Sequence, residues 1–192
     1  INMKRFLAVL LTALLVIPAV LVFSASADEV LVSKGKSYAV SGSGKGFDKY
    51  TANLTDGNTI DVSSYEAGKW FGLYYNKTAD ASVINAPDGI GTITIDLGAE
   101  TANIATYKAH VLTTGNDGIG VPAYINVAVS ADNAAFTEIG SLSGLEKKDN
   151  AYWVSLTTEK SVSARYVRFS VKIGGGVFAF LDELEVYTDA SK

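Results

Sequence analysis

Residues 92–98 read Thr-Ile-Thr-Ile-Asp-Leu-Gly, an alternation of polar and apolar side chains that ends at a glycine. Successive side chains of a β-strand point to opposite faces, so this pattern predicts a strand with one buried face. The same alternation returns in residues 125–129 and 167–173. In a fourth stretch we expect one face, interrupted by Asp182, to be shared by Phe178, Phe180, Leu184 and Val186.

Segments rich in glycine, aspartate and asparagine separate these stretches, as in residues 55–58, 87–89, 115–118 and 174–176. Such residues favour turns. No stretch after residue 28 has a sustained helical period with capping residues. About eight strands with this spacing predict an all-β protein, folded as a single sandwich or jelly roll.

The composition excludes several classes of protein. The formal net charge of the 192 residues is −4, which argues against a nucleic-acid-binding protein, because such a protein needs a basic face. The chain has no cysteine, so it forms no disulfide and holds no thiol nucleophile. Its one histidine, His110, excludes any site that needs two imidazoles from one chain.

The first 27 residues have the pattern of a targeting segment. Lys4 and Arg5 precede a nearly unbroken apolar run over residues 6–23, and Ala-Ser-Ala follows at residues 25–27. A membrane anchor is the alternative, but Pro18 and the Ala-x-Ala site favour cleavage by signal peptidase. We therefore expect a signal peptide over 1–27, a mature domain over 28–192 that is secreted and not inserted in the membrane, and a bacterial source, since cysteine is absent.

Five segments resemble, in order and spacing, the motifs of one family. They are Leu54-Thr55-Asp56-Gly57-Asn58 followed by Trp70, Thr92 to Gly98, Val127 to Gly140, Ala164 to Phe169, and Leu181 to Tyr187. This pattern resembles the discoidin domains, also called coagulation-factor type C domains, and the similar family 32 carbohydrate-binding modules. The resemblance spans roughly residues 31–187 and implies a galactose-binding-like jelly-roll fold.

The resemblance also implies a structural calcium ion (Ca2+). Many members of the group hold one where the Asp-Gly loop meets the last strand. The matching ligands are the Leu54 carbonyl, Asp56, Asn58 or Thr59, and Glu183. Asp182 replaces Glu183 in this set if the strand register differs by one residue. The alternative is that Asp56 only caps a turn and that Glu183 is solvated.

In this family, ligands meet the loops at one end of the sandwich, where an aromatic ring stacks on the sugar and polar groups bind its hydroxyls. The residues that fit this description are Phe47, Tyr50, Tyr74, Tyr75, Asn116, Asp117 and Phe178. Each tyrosine has a second interpretation as half-buried strand packing. Phe178 is either a ligand platform or a core residue.

Catalysis is not expected, because the carboxylates of residues 182–185 do not predict a pair across a cleft and no Gly-x-Ser-x-Gly elbow is present. We expect His110 to be a hydrogen-bonded strand residue, and Arg165 and Arg168 to be salt-bridged or extended along the surface. The leading hypothesis is a secreted, non-catalytic domain that binds glycans or cell-surface polysaccharides. The alternatives are an adhesion or assembly domain that binds a protein or cell surface, and a structural accessory module of a larger extracellular enzyme.

Overall fold

Antiparallel β-strands form the whole architecture of a computed structural model that describes residues 29–42, 45–60, 66, 68–75 and 89–192, with the backbone alone at 45–48. The predicted signal peptide lies outside these residues. The strands of the described part are β1 (Val30–Leu31), β2 (Ser37–Gly42), β3 (Lys45–Thr51), β4 (Phe71–Tyr74), β5 (Ile90–Leu112), β6 (Tyr124–Ser130), β7 (Thr137–Ser141), β8 (Tyr152–Lys172) and β9 (Phe178–Thr188). No helix long and apolar enough to cross a membrane occurs in this part of the chain.

Two long strands, β5 and β8, run through both layers of the fold. The first half of β5 pairs with β2, while its second half pairs with β9. The register between β5 and β8 shifts repeatedly between Asp96 and Thr106, and the chain has positive φ at Gly98 and Asn103. The ribbon of β5 and β8 therefore folds over at this point, and its two halves lie in different sheets.

The two sheets follow from these pairings. One has the order β2, first half of β5, second half of β8, β6 and β7. The other has the order first half of β8, second half of β5, β9, β4 and β3, with β1 paired to β9. This is the predicted β-sandwich.

The predicted alternation places the core between the sheets. Its fully buried side chains in the first sheet include Ile93, Ile95, Val127, Val167 and Phe169. Those in the second sheet include Tyr107, Ala109 and Val111. The predicted buried strand faces of residues 92–98, 125–129 and 167–173 are thus confirmed.

The prediction of a single apolar face in β9 is wrong. Leu184 and Val186 belong to the main core, whereas Phe180, with Phe178 packed beside it, belongs to a second cluster on the outer face of the second sheet. The register with β5 shifts there, because His110 pairs with Glu183 and Val111 pairs with Leu181. The resulting β-bulge adds one residue and reverses which side chains point inward.

The two arginines of β8 have structural partners, as predicted. Arg165 makes a bidentate ion pair with Asp96, with distances of 2.8 and 2.9 Å. The Arg168 guanidinium lies 3.5 Å from the Phe136 ring centroid and donates to Thr94 Oγ1. Both side chains fasten neighbouring strands of the first sheet.

Candidate functional site

Two loops meet at one end of the sandwich, beside the start of β9. They are the β5–β6 connection, residues 113–123, and the β8–β9 connection, residues 173–177. The Gly118 carbonyl accepts hydrogen bonds from the backbone N–H groups of Val177 and Phe178, at 2.8 and 2.9 Å. Gly120 N–H donates to the Phe178 carbonyl at 3.0 Å. The backbone itself therefore holds the two loops together.

The contact between these loops requires glycine. A Cβ atom at Gly176 would lie 2.2 Å from the Gly118 carbonyl oxygen, and one at Gly120 would lie 2.4 Å from the Gly176 nitrogen. Real Cβ atoms do not approach backbone so closely. Gly174 and Gly176 of the β8–β9 loop thus allow two segments of the chain to approach closely.

A continuous set of aromatic rings extends from this junction across the outer face of the second sheet. The Phe178 ring lies 5.0 Å from Tyr74, 5.9 Å from Tyr50 and 5.4 Å from Phe180, centroid to centroid. Phe180 in turn stacks on Trp70 at 6.3 Å. Trp70 and Phe180 are fully buried, whereas Tyr50, Tyr74 and Phe178 are half-buried. We call the last three the rim aromatics.

Tyr75, the neighbour of Tyr74, points the other way. Its ring packs against the main core, and a Cβ atom at Gly89 would lie 2.6 Å from it. Its backbone N–H donates to the Val177 carbonyl at 2.8 Å. Alternation along the chain thus separates the two predicted tyrosines, and only Tyr74 lies among the rim aromatics.

The polar residues predicted for this end lie on the β5–β6 loop. Asn116 and Asp117 are exposed, and Asp117 has a φ of 54°. A turn holds them, since the Asn116 carbonyl accepts from Ile119 N–H at 2.8 Å. Gly118 follows directly and its backbone bonds to Phe178, so the turn that carries these polar residues adjoins the start of β9. The backbone of Phe47 lies in β3, and its side chain is outside the described residues.

The Asp-Gly loop meets β9 at a second place, where the predicted metal ligands lie. Leu184 N–H donates to the Leu54 carbonyl at 2.7 Å, and Gly57 N–H donates to Glu183 Oε2 at 3.1 Å. Asp56 Oδ1 accepts from Asn58 N–H at 2.8 Å, which closes the turn. Thr59 is exposed on the same loop.

Glu183 is not the solvated strand residue of the alternative interpretation, because its side chain is fully buried. Burial, together with the weaker effect of the charges of Asp56, Glu185 and Asp182, raises the pKa of Glu183 to about 8, although the Gly57 hydrogen bond opposes the shift. Its Oε1 atom has no hydrogen-bond partner among the described residues. A buried carboxylate oxygen beside other carboxylates is the arrangement that a dication would compensate.

The residues around Glu183 offer two kinds of oxygen atom, carboxylate and backbone carbonyl. No three carboxylate or imidazole side chains of the described residues cluster as metal ligands, so backbone carbonyl oxygens would have to complete the shell. Ca2+ takes such mixed sets of carboxylates and carbonyls from a tight loop. The Leu54 carbonyl keeps a second lone pair besides the one used by Leu184.

Asp182 has a different role from its neighbour. Its Oδ2 accepts from Ile60 N–H at 2.6 Å, and its Oδ1 lies 2.7 Å from His110 Nδ1. Both oxygens are thus engaged, and Asp182 ties the Asp-Gly loop to the sheet. The prediction of a hydrogen-bonded strand histidine is confirmed, whereas its partner was missed, because the bulge that brings the Asp182 side chain to His110 has no sequence signal of its own.

Several solved structures of similar architecture are carbohydrate-binding modules. A family 32 module from Clostridium perfringens in complex with GalNAc-β-1,3-galactose is 18% identical, with a TM-score of 0.56, and the match covers 82% of this chain and 99% of that one. The family 32 module of C. perfringens NanJ in complex with galactose is 16% identical, with a TM-score of 0.57, over 83% and 99%. A fucose-binding module of Streptococcus pneumoniae is 18% identical, with a TM-score of 0.53, over 84% and 96%.

No protein-family model and no curated protein matches the sequence. The likeness to solved structures therefore concerns the fold, and it covers nearly the full length of each module. The strand pairing and the packing of the Asp-Gly loop on the last strand indicate the same fold as the structural matches. The chain has the galactose-binding-like, discoidin-type β-sandwich fold.

Proposed function

We propose that this protein is a non-catalytic domain that binds glycans at the end of the sandwich where the rim aromatics meet residues 113–123. The observation that carries the proposal is the junction of Phe178 with that loop. It places partly exposed aromatic rings next to exposed Asn116 and Asp117. An aromatic face for the apolar side of a sugar and polar groups for its hydroxyls are what sugar recognition requires.

The structural neighbours support the glycan as ligand. Three modules with this fold were solved as binders of GalNAc-β-1,3-galactose, galactose and fucose. Our proposal extends the ligand class, a glycan or a cell-surface polysaccharide, to this chain. It names no particular sugar.

Calcium belongs to the proposal as a structural ion. Glu183, Asp56 and the Leu54 carbonyl would hold it, together with oxygens of Asn58 or Thr59. Bound there, the ion would supply the positive charge that the buried carboxylate lacks and would fix the Asp-Gly loop on β9. It has no part in the sugar contact, which lies among the rim aromatics.

Export is the third part of the proposal. Residues 1–27 carry the charge, the apolar run and the Ala-x-Ala site of a signal peptide. A domain that binds cell-surface or extracellular glycans meets its ligand after export. The adhesion alternative uses the same end of the sandwich for a different ligand, whereas the accessory-module alternative is purely structural.

A glycan array probed with the purified protein tests the proposal. We expect binding to a restricted set of glycans, and we expect the Phe178→Ala variant to lose most of it. The matched control is Phe136→Ala, which removes another half-buried phenylalanine, from the β6–β7 turn. A wild-type protein that binds no glycan, with a Tm showing that it is folded, contradicts the proposal.

A further inference from the structure

The outer face of the second sheet carries a cleft of about 370 Å³ that is separate from the rim aromatics. Its lining residues are Lys108, Trp153, Ser155, Glu185 and Tyr187. They come from β5, β8 and β9, so three adjacent strands form its floor. This volume lies within the range of small-ligand sites.

Register explains why these five side chains meet. Lys108 on the central strand pairs with Ser155 on one side and Glu185 on the other. These three side chains form a polar row across the sheet. Trp153 stands one row away on β8, opposite His110, and Tyr187 stands one row away in the other direction on β9, opposite Thr106. Two aromatic side chains therefore flank the polar row at diagonal corners.

Trp153 is 39% exposed, more than any other aromatic side chain that the structure describes. The His110 ring supports it from below, with the centroids 4.9 Å apart, and the buried Asp182 holds that ring through Nδ1. An exposed tryptophan on a fixed support is a preorganised platform, which reduces the entropy lost when a ligand binds.

The polar groups are also held in place. Tyr187 donates its hydroxyl to Glu185 Oε2 at 2.7 Å, and Lys108 Nζ lies 4.3 Å from the Tyr187 ring centroid. The cleft lining contains one cation and one carboxylate, so their formal charges cancel. This balance favours a neutral ligand with hydroxyl groups over an anionic polymer or a basic peptide.

We propose that this cleft is a second sugar-binding site, in which a neutral pyranose stacks on Trp153 while Lys108, Ser155 and Glu185 bind its hydroxyls. The inference takes from the proposed function only that the ligand is a glycan. The two sites would then engage separate parts of one polysaccharide, or two chains.

Tryptophan fluorescence tests the second site directly, because the chain has two tryptophans and the other one, Trp70, is fully buried. Acrylamide quenching thus reports on Trp153. The probes are soluble neutral oligosaccharides of galactose, glucose and N-acetylglucosamine, and the background is Phe178→Ala, which weakens the loop site. We expect at least one probe to protect Trp153 from quenching, and we expect Trp153→Ala to lower the affinity for it about tenfold.

Two control variants distinguish the loss of a sugar contact from the loss of folding. Trp153→Tyr keeps an aromatic face and should retain most of the binding, whereas Glu185→Gln should weaken it with the Tm unchanged. If a sugar binds without changing the acrylamide quenching of Trp153, and Trp153→Ala binds that sugar as tightly as its parent, the second site is overturned and the proposed function stands. If no probe and no array glycan binds any variant, both fail. The assignment is also overturned if Trp153→Ala abolishes the binding of a protein ligand but does not change the affinity for any sugar.

Discussion

Tyr74 and Phe178 are cross-strand partners in the pairing of β4 with β9, and their rings lie 5.0 Å apart at an angle of 45°. Side chains directly opposite each other in an antiparallel pair stabilise one another. This pair also lies where β9 begins, next to the backbone bonds between Phe178 and Gly118. The two rings are thus positioned by the sheet and presented beside a loop.

Substitution of the two adjacent tyrosines should give opposite results. Tyr74→Ala removes a rim aromatic, so we expect glycan affinity to fall about tenfold with little loss of Tm. Tyr75→Ala opens a gap against the main core and should lower the free energy of unfolding by about 3 kcal/mol. Calorimetric titration measures the glycan affinity of both variants, and thermal melts measure their stability. Equal effects of the two substitutions on affinity would remove Tyr74 from the binding site.

Calcium should stabilise the folded protein through Glu183. At a hundredfold excess over its dissociation constant, an ion that binds only the folded state adds about 2.7 kcal/mol, so the Tm should rise between chelator and millimolar calcium. Glu183→Gln removes the carboxylate that would bind the ion and leaves an uncharged side chain of the same size, so we expect no calcium response and a Tm in chelator close to the wild-type value.

The control for this experiment is Glu185→Gln, two residues along the same strand, which should keep the calcium response. An unchanged wild-type Tm in calcium would eliminate the metal from the account. So would a calcium shift in Glu183→Gln as large as in the wild type.

Asp96 and Arg165 should give the stability of the first sheet a dependence on acid pH. The hydrogen bond from Arg165, with a second from Gly98 N–H, lowers the pKa of Asp96 to about 2 from its ordinary value of 3.8. A lowered folded-state pKa means that the pair stabilises the fold above about pH 4 and loses this contribution as the pH falls toward 2.

The pair is partly exposed, with 40% and 30% of the two side chains accessible, so its contribution to the free energy of unfolding is small. We expect Asp96→Asn to melt below the wild type at pH 7 and the gap to narrow at pH 2.5. A gap that stays constant from pH 7 to pH 2.5 would show that the ionised carboxylate contributes nothing.

Export predicts a specific N-terminus. The Ala-x-Ala site ends at Ala27, so protein recovered from the culture medium should begin at Asp28. N-terminal sequencing of that protein is the measurement. Recovery of an uncleaved chain that retains Met3 in the membrane fraction would support the anchor instead.

The sandwich could be predicted from sequence because its core strands alternate strictly. Ile93 and Ile95 point inward as their spacing requires, and turn residues mark where the loops lie. The fold-over of β5 could not be predicted, because Gly98 and the small and polar residues that follow it, up to Asn103, do not show that one strand passes from one sheet to the other.

The candidate site was predictable in its loops and less so in its side chains. The turn glycines identify residues 115–118 and 174–176 as loops, but the contact between them depends on the path of the whole chain. The bulge at Asp182 is a tertiary feature, and it exchanges which residues of β9 face the core. Trp153 was missed for the same reason, since its exposure depends on which face of β8 the core occupies.

The central claim is that the end of the sandwich beside Phe178 binds a glycan, and calorimetric titration with the best-bound array glycan tests it most directly. The account predicts a saturable heat of binding for the wild type and for Phe136→Ala, and an affinity about tenfold weaker for Phe178→Ala, in a variant whose thermal melt shows that it is folded. Equal affinities of all three proteins for that glycan would contradict the claim.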